Sequence, residues 1–184
     1  MRRLTSPRVP VAARLRLMTL GVALVLGSAA SGTAFAESSL SPSDQDFAST
    51  VWQGELFEVE ASKIAESKAD TRAVRDQAMA EEHDQSLVRD KLIWIASESD
   101  EHFPSDLNAD FQKRLDHLSA LSGAAFDAAY LREMSAVHAL DREAFSNEAE
   151  KGQDADLKAF AAETVPIVER QAVALHGAAS MAKF

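Results

Sequence analysis

Apolar residues recur at helical spacing through most of the chain beyond residue 43, with no sustained period-two alternation. A first helix is predicted over 43–67, where Ser43 can cap and Asp44 and Asp46 suit a positive helix N-terminus. Phe47, Val51, Val59 and Ile64 give it a loose apolar stripe, and Gly54 leaves room for a close helix contact. A second helix is predicted over 71–97. It places Met79, His83, Leu87 and Trp94 on one side, joined by Val88, Leu92 and Ile95. Pro104 marks a break. A shorter segment over 106–121 carries Phe111, Leu115 and Leu118, and Ser122-Gly123 interrupts it. A further helix to about residue 148 aligns Phe126, Tyr130, Met134, His138 and Phe145. The last helix, from about 154 to just before Gly177, turns Leu157, Phe160, Ala161, Thr164, Val168, Gln171 and Leu175 inward. Pro166 sits inside it and predicts a kink.

Four long amphipathic helices and one shorter segment predict an all-α bundle over 43–177, with a disordered polar tail at 37–42 and a C-terminal tail at 178–184. No internal repeat, low-complexity tract or second-domain linker stands out.

The first 36 residues follow a different pattern. Arg2, Arg3, Arg8, Arg14 and Arg16 precede an apolar run from Leu17 to Leu26, and Ala34-Phe35-Ala36 closes the segment. A positive start, a short apolar stretch and an A-x-A end predict a secretory signal peptide over 1–36. The run is shorter than the ~20 residues a spanning helix needs. The expected location is therefore periplasmic or secreted, with no transmembrane span after cleavage.

Charge sharpens this picture. The full chain carries 19 Lys+Arg against 29 Asp+Glu. Removing 1–36 takes five Arg and leaves 14 against 29, a net charge of -15. A body this acidic has no surplus of cations for phosphate neutralisation, so nucleic acid is excluded as a partner. The absence of cysteine removes disulfides, thiolate metal sites and thiol nucleophiles.

Of five histidines, two share a context: Met79 precedes His83 by four residues, and Met134 precedes His138 by four. Residues four apart stack on one helix face. Two helices can thus present a thioether and an imidazole each to a common interior, with Glu82, Asp84 and Asp141 as nearby carboxylates and Glu58 available from the first helix. Such donors suit Cu(I), Zn(II) or iron, so a transition metal ion is the candidate cofactor. The alternative is structural: methionine fills core gaps, and an inward histidine can simply be hydrogen-bonded. His102 and His117 read as exposed, and His176 as a complement to the dipole of its helix. No histidine has Glu three residues before it, which counts against a ferritin-type di-iron site. H-E-x-x-H and G-x-S-x-G are absent, so no catalytic residue is assigned. The pairs Glu81-Glu82 and Glu148/Glu150 lie in charge-rich stretches and read as solvated surface.

Three stretches, 74–84, 118–130 with Met134 and His138 beyond it, and 157–164 with Pro166 beyond it, resemble a bacterial secreted family. It is the domain-of-unknown-function family number 4142, often labelled an outer-membrane protein. The resemblance covers roughly 44–176. It implies a ferritin-like four-helix bundle exported to the periplasm, without a settled activity. It also implies histidines at His83 and His138, each with Met four residues earlier. The family's further histidine on the last helix is replaced here by Gln171, a poor ligand for soft or borderline metals.

Two functions follow as expectations. One is a non-enzymatic envelope protein that binds an unidentified protein partner or serves in stress tolerance. The other is a periplasmic metal-binding bundle built on His83 and His138, assisted by Met79, Met134, Glu58 and Asp141.

Overall fold

The computed structural model describes residues 39–182. The expected signal peptide at 1–36 lies outside the described residues. These form five helices: α1 Pro42–Lys68, α2 Arg72–Ser99, α3 Ala109–Ser119, α4 Gly123–Lys151 and α5 Ala155–Met181. No strand occurs among the described residues. The starts are capped as the residue types dictate. Ser41 accepts from Asp44 N with Pro42 following it, Thr71 accepts from Val74 N, Asn108 from Asp110 N and Phe111 N, and Asp154 from Asp156 N and Leu157 N.

Among its buried residues, each long helix carries a row of seven at alternating spacings of four and three. On α1 they are Asp44, Ala48, Val51, Glu55, Glu58, Ser62 and Ala65. On α2 they are Val74, Ala78, Glu81, Gln85, Val88, Leu92 and Ile95. On α4 they are Asp127, Leu131, Met134, His138, Asp141, Phe145 and Glu148. On α5 they are Leu157, Ala161, Thr164, Val168, Gln171, Leu175 and Ala178. This four-three spacing is the seam of left-handed helix packing.

Adding 83 to every seam position of α1 gives the seam of α4, and the same shift carries α2 onto α5. The two helical hairpins therefore share one burial register. The sequence showed no repeat because the matched pairs share burial rather than chemistry: Glu55 with His138, Glu81 with Thr164, Ser62 with Phe145.

Packing joins α1 to α2, α2 to α5, α5 to α4 and α4 to α1. Asp44 at the start of α1 holds the α4–α5 loop, and Asp127 at the start of α4 holds the α1–α2 loop. Hence α4 runs antiparallel to α1, and the segment from Asp100 to Ser122 must cross the length of the bundle. A four-helix bundle with one long crossover is the ferritin-like arrangement. The crossover is strapped to the outside of α1. Trp52 Nε1 donates to Pro104 O at 2.8 Å, Asn108 N donates to Gln53 Oε1 at 2.6 Å, and Phe111 stacks on Phe57 with centroids 5.0 Å apart.

Eight of the twelve polar seam residues fall in the middle. The third to fifth positions of the four seams hold Glu55, Glu58, Glu81, Gln85, His138, Asp141, Thr164 and Gln171. An apolar cluster including Phe57, Ala61, Ala78, Phe126, Tyr130, Leu131 and Leu175 lies toward one end. A second, including Phe47, Val51, Leu92, Ile95, Phe145, Leu157 and Phe160, lies toward the other. Each large side chain so buried contributes about 1.5–3 kcal/mol, and together these two clusters hold the polar centre in place.

Several predicted boundaries shift. Leu40 is buried and Ser39 N donates to Ser99 O, so 39–41 pack onto the bundle rather than forming a loose tail. Helix α5 continues past Gly177 to Met181, with Ala178 and Ala182 buried, where a tail was expected. It also runs through Pro166 as one helix. On α2, Leu87 and Trp94 are exposed, not inward; Val88, Leu92 and Ile95 face the core as predicted.

Candidate metal centre

The two carboxylates of α1, Glu55 and Glu58, are three residues apart and face inward because both occupy seam positions. Glu81 and Gln85 do the same on α2, and His138 and Asp141 on α4. Their charges meet where α1, α2 and α4 converge.

His138 Nε2 lies 3.0 Å from Glu81 Oε1 and 3.5 Å from Glu58 Oε1. Neither approach has full hydrogen-bond geometry, although at 3.0 Å Glu81 pairs with the protonated ring. Neither ring nitrogen of His138, nor Glu58 Oε1, has a hydrogen-bond partner among the described residues. Glutamines hold both carboxylates, Glu58 through the oxygen turned away from His138 and Glu81 through both of its oxygens, including the one that faces the ring. Gln85 Nε2 donates to Glu58 Oε2 at 2.5 Å and to Glu81 Oε1 at 2.8 Å, and Gln77 Nε2 donates to Glu81 Oε2 at 3.3 Å. One donor atom from each of Glu58, Glu81 and His138 lies within 4.8 Å of the others. An ion held at about 2.0–2.2 Å by nitrogen and oxygen ligands sets its donors about 3–4 Å apart, and His138 Nε2 already stands 3.0 and 3.5 Å from the two carboxylate oxygens.

The electrostatics are unbalanced. Four buried carboxyl groups, Glu55, Glu58, Glu81 and Asp141, surround one imidazole. Burial pushes Glu55 and Glu58 well above the usual carboxylate range, and the mutual repulsion of Asp141 and Glu81 adds to it. Burial raises Asp141 to about 7, opposed in part by His138. Burial favours neutral His138, but Glu81 and Asp141 more than offset this and raise its pKa. Arg89 and Arg114 temper the acids without joining them, and Arg114 is paired with Glu133 at 2.8 Å. Unpaired buried acid is costly, so such a cluster calls for protons or a cation.

The family model described as Domain of unknown function (DUF4142) matches residues 29–176. The chain belongs to this family. No curated relative and no solved structure matches it. The DUF4142 match takes in every residue of the centre.

Of the six residues proposed from the sequence, Glu58, Met134, His138 and Asp141 are buried on the seams. Met79 and His83 are not. Met79 is 60% exposed and His83 is exposed on the outer face of α2. The histidine pair is therefore not assembled, and α2 turns Glu81 inward instead. Glu81 and Glu148, read as solvated, are buried at 1% and 5% exposure. Glu81, Glu55 and Gln85 were missed as site residues, although their four-three register with Val74, Ala78 and Val88 marks them as inward. His102, His117 and His176 are exposed as expected.

Proposed function

We propose that this DUF4142 protein is an exported bundle that holds a divalent transition-metal ion, with Glu58, Glu81 and His138 as ligands. The observation that carries this reading is His138: a ring 2% exposed, both nitrogens without hydrogen-bond partners, facing two carboxylate oxygens. A purely structural histidine would be hydrogen-bonded at that depth. Two carboxylates and one imidazole favour Zn(II), Fe(II) or Mn(II) over Cu(I), because the paired thioethers do not come together. Gln85 and Gln77 orient the carboxylates by bonding their remaining lone pairs, as outer-shell groups do at metal sites.

A cavity of about 110 Å³ between α4 and α5, lined by Ser135, His138, Arg142 and His176 among others, gives a path toward the imidazole. The pattern of residues 1–36 supports export, and metal holding in the envelope gives the broader non-enzymatic reading a chemical basis. The test is metal analysis of the native protein, purified from the envelope without chelator. Bound Zn, Fe or Mn is expected, with loss in His138→Ala and in Glu81→Gln chains that keep their helical circular dichroism. Undiminished metal in both variants, or no uptake by stripped wild type, would sink the assignment.

A further inference from the structure

The first site uses only two of the four buried carboxylates. Glu55 is 3% exposed, and its Oε2 has no hydrogen-bond partner among the described residues. It is the seam residue before Glu58, about 4.5 Å along the axis at 1.5 Å per residue. Asp141 reaches the same level from α4. Its Oδ1 would lie 3.4 Å from a Cβ placed on Gly54, so its carboxylate rests against the stretch of α1 that carries Glu55. A side chain larger than a methyl group on residue 54 would crowd this approach.

Charge makes the same point from a different direction. Four carboxyl groups share a region 0–6% exposed, where burial favours their protonated forms. An ion on Glu58 and Glu81 leaves Glu55 and Asp141 to be neutralised by protons, and a second divalent ion can take the place of those protons. Buried charge without compensation is strongly unfavourable.

We infer that Glu55 and Asp141 form a second cation subsite, one helical turn from the first. Its donors are all oxygen, which suits a hard divalent ion such as Mn(II). This rests on Glu58, Glu81 and His138 being the first site. The two subsites differ in kind: one offers nitrogen and oxygen, the other oxygen alone. In the shared burial register, position 55 holds Glu where position 138 holds His.

The probe is Mn(II) titrated into the chelator-stripped mature chain, read by bound-metal stoichiometry and electron paramagnetic resonance. Two Mn(II) per chain are expected, with the signal of the first broadened by coupling as the second enters. Glu55→Gln with Asp141→Asn should bind one, with an uncoupled signal. Both replacements keep size and remove repulsion, and a retained thermal transition confirms folding. Glu55→Gln alone, the milder change, should weaken the second ion at least tenfold. One Mn(II) in wild type and in the double variant would overturn the second subsite and leave the first standing. Two in both would place the second ion elsewhere and overturn it equally. None in wild type would take both readings down.

Discussion

Asp44 and Asp127, 83 residues apart, perform one task at opposite ends of the bundle. Asp127 accepts from Asp70 N at 2.8 Å, Thr71 N at 2.9 Å and Thr71 Oγ1 at 2.8 Å. Asp44 accepts from Gln153 N and Asp154 N, both at 3.0 Å. Each helical hairpin is thus latched by the first turn of the other. Removing either carboxylate strands amide donors in a loop. Asp127→Ala and Asp44→Ala should each cost about 2–3 kcal/mol in urea unfolding, with Asp127 the larger. The sites share no partner, so the double variant should be additive within about 0.5 kcal/mol. A loss below 0.5 kcal/mol for Asp127→Ala would show that the latch does not hold the hairpins.

Metal-free protein should grow more stable as pH falls from 8 to 5. Burial first, and then the neighbouring Asp44, raise Glu148 to about 7, and Asp141 is raised to about the same value. A carboxyl whose folded pKa exceeds its unfolded one binds its proton more tightly when folded. Its contribution is complete below about 4.5 and lost as pH rises through about 7. His138, also raised, acts in the same direction. Asp44 acts oppositely. Burial raises it, but the amides of Gln153 and Asp154 and the Ser41 hydroxyl outweigh that and hold it below its usual value. Its stabilisation is lost only as pH falls through the acid range below about 4. A thermal midpoint in chelator that peaks near pH 5, with a shallower slope for Glu148→Gln, is the expected profile. A midpoint that rises from pH 5 to 8 would contradict the burial of these acids.

The helices were legible in the sequence because apolar spacing is helical along the chain, but their ends were less so: Ser41, not Ser43, caps α1, and α5 runs past Gly177. The centre was not, because it is built from residues that normally face water. Glu81 sits beside Glu82 and reads as surface, yet its seam neighbours Ala78 and Gln85 carry it inward. Conversely, Met79, Leu87 and Trp94 read as core and stand 60%, 59% and 46% exposed. On α2 the buried side is thus marked by register, which takes in Ala78 and Glu81 with Leu92 and Ile95 and leaves Met79, Leu87 and Trp94 out. On α4, by contrast, Met134, His138 and Phe145 follow the apolar stripe, and the reading there was sound.

The outer face of α2 should therefore be silent in metal binding. Met79→Ala and His83→Ala remove exposed side chains, so each should shift stability by less than about 0.5 kcal/mol. Metal stoichiometry and affinity should be unchanged, by calorimetry with Zn(II) or Mn(II). Met134→Ala is the contrasting control. Its side chain is fully buried beside the centre, and about 2–5 kcal/mol should be lost. A tenfold loss of affinity in His83→Ala would mean that α2 presents its outer face to the ion after all.

Gly54 sets how closely α1 and α4 approach at the level of the centre. A Cβ there would lie 3.4 Å from Asp141 Oδ1 and 3.6 Å from Val137 Cγ1, an ordinary contact on both sides. Alanine should fit, and its helical preference over glycine should stabilise the metal-free protein by up to about 1 kcal/mol. Leucine cannot fit without moving Val137 or Asp141. Gly54→Leu should cost about 1–3 kcal/mol from overpacking and should weaken the ion held by Asp141. Opposite signs for the two substitutions in urea unfolding are the expected result. Destabilisation by alanine itself would mean that the two helices lie nearer than 3.4 Å allows.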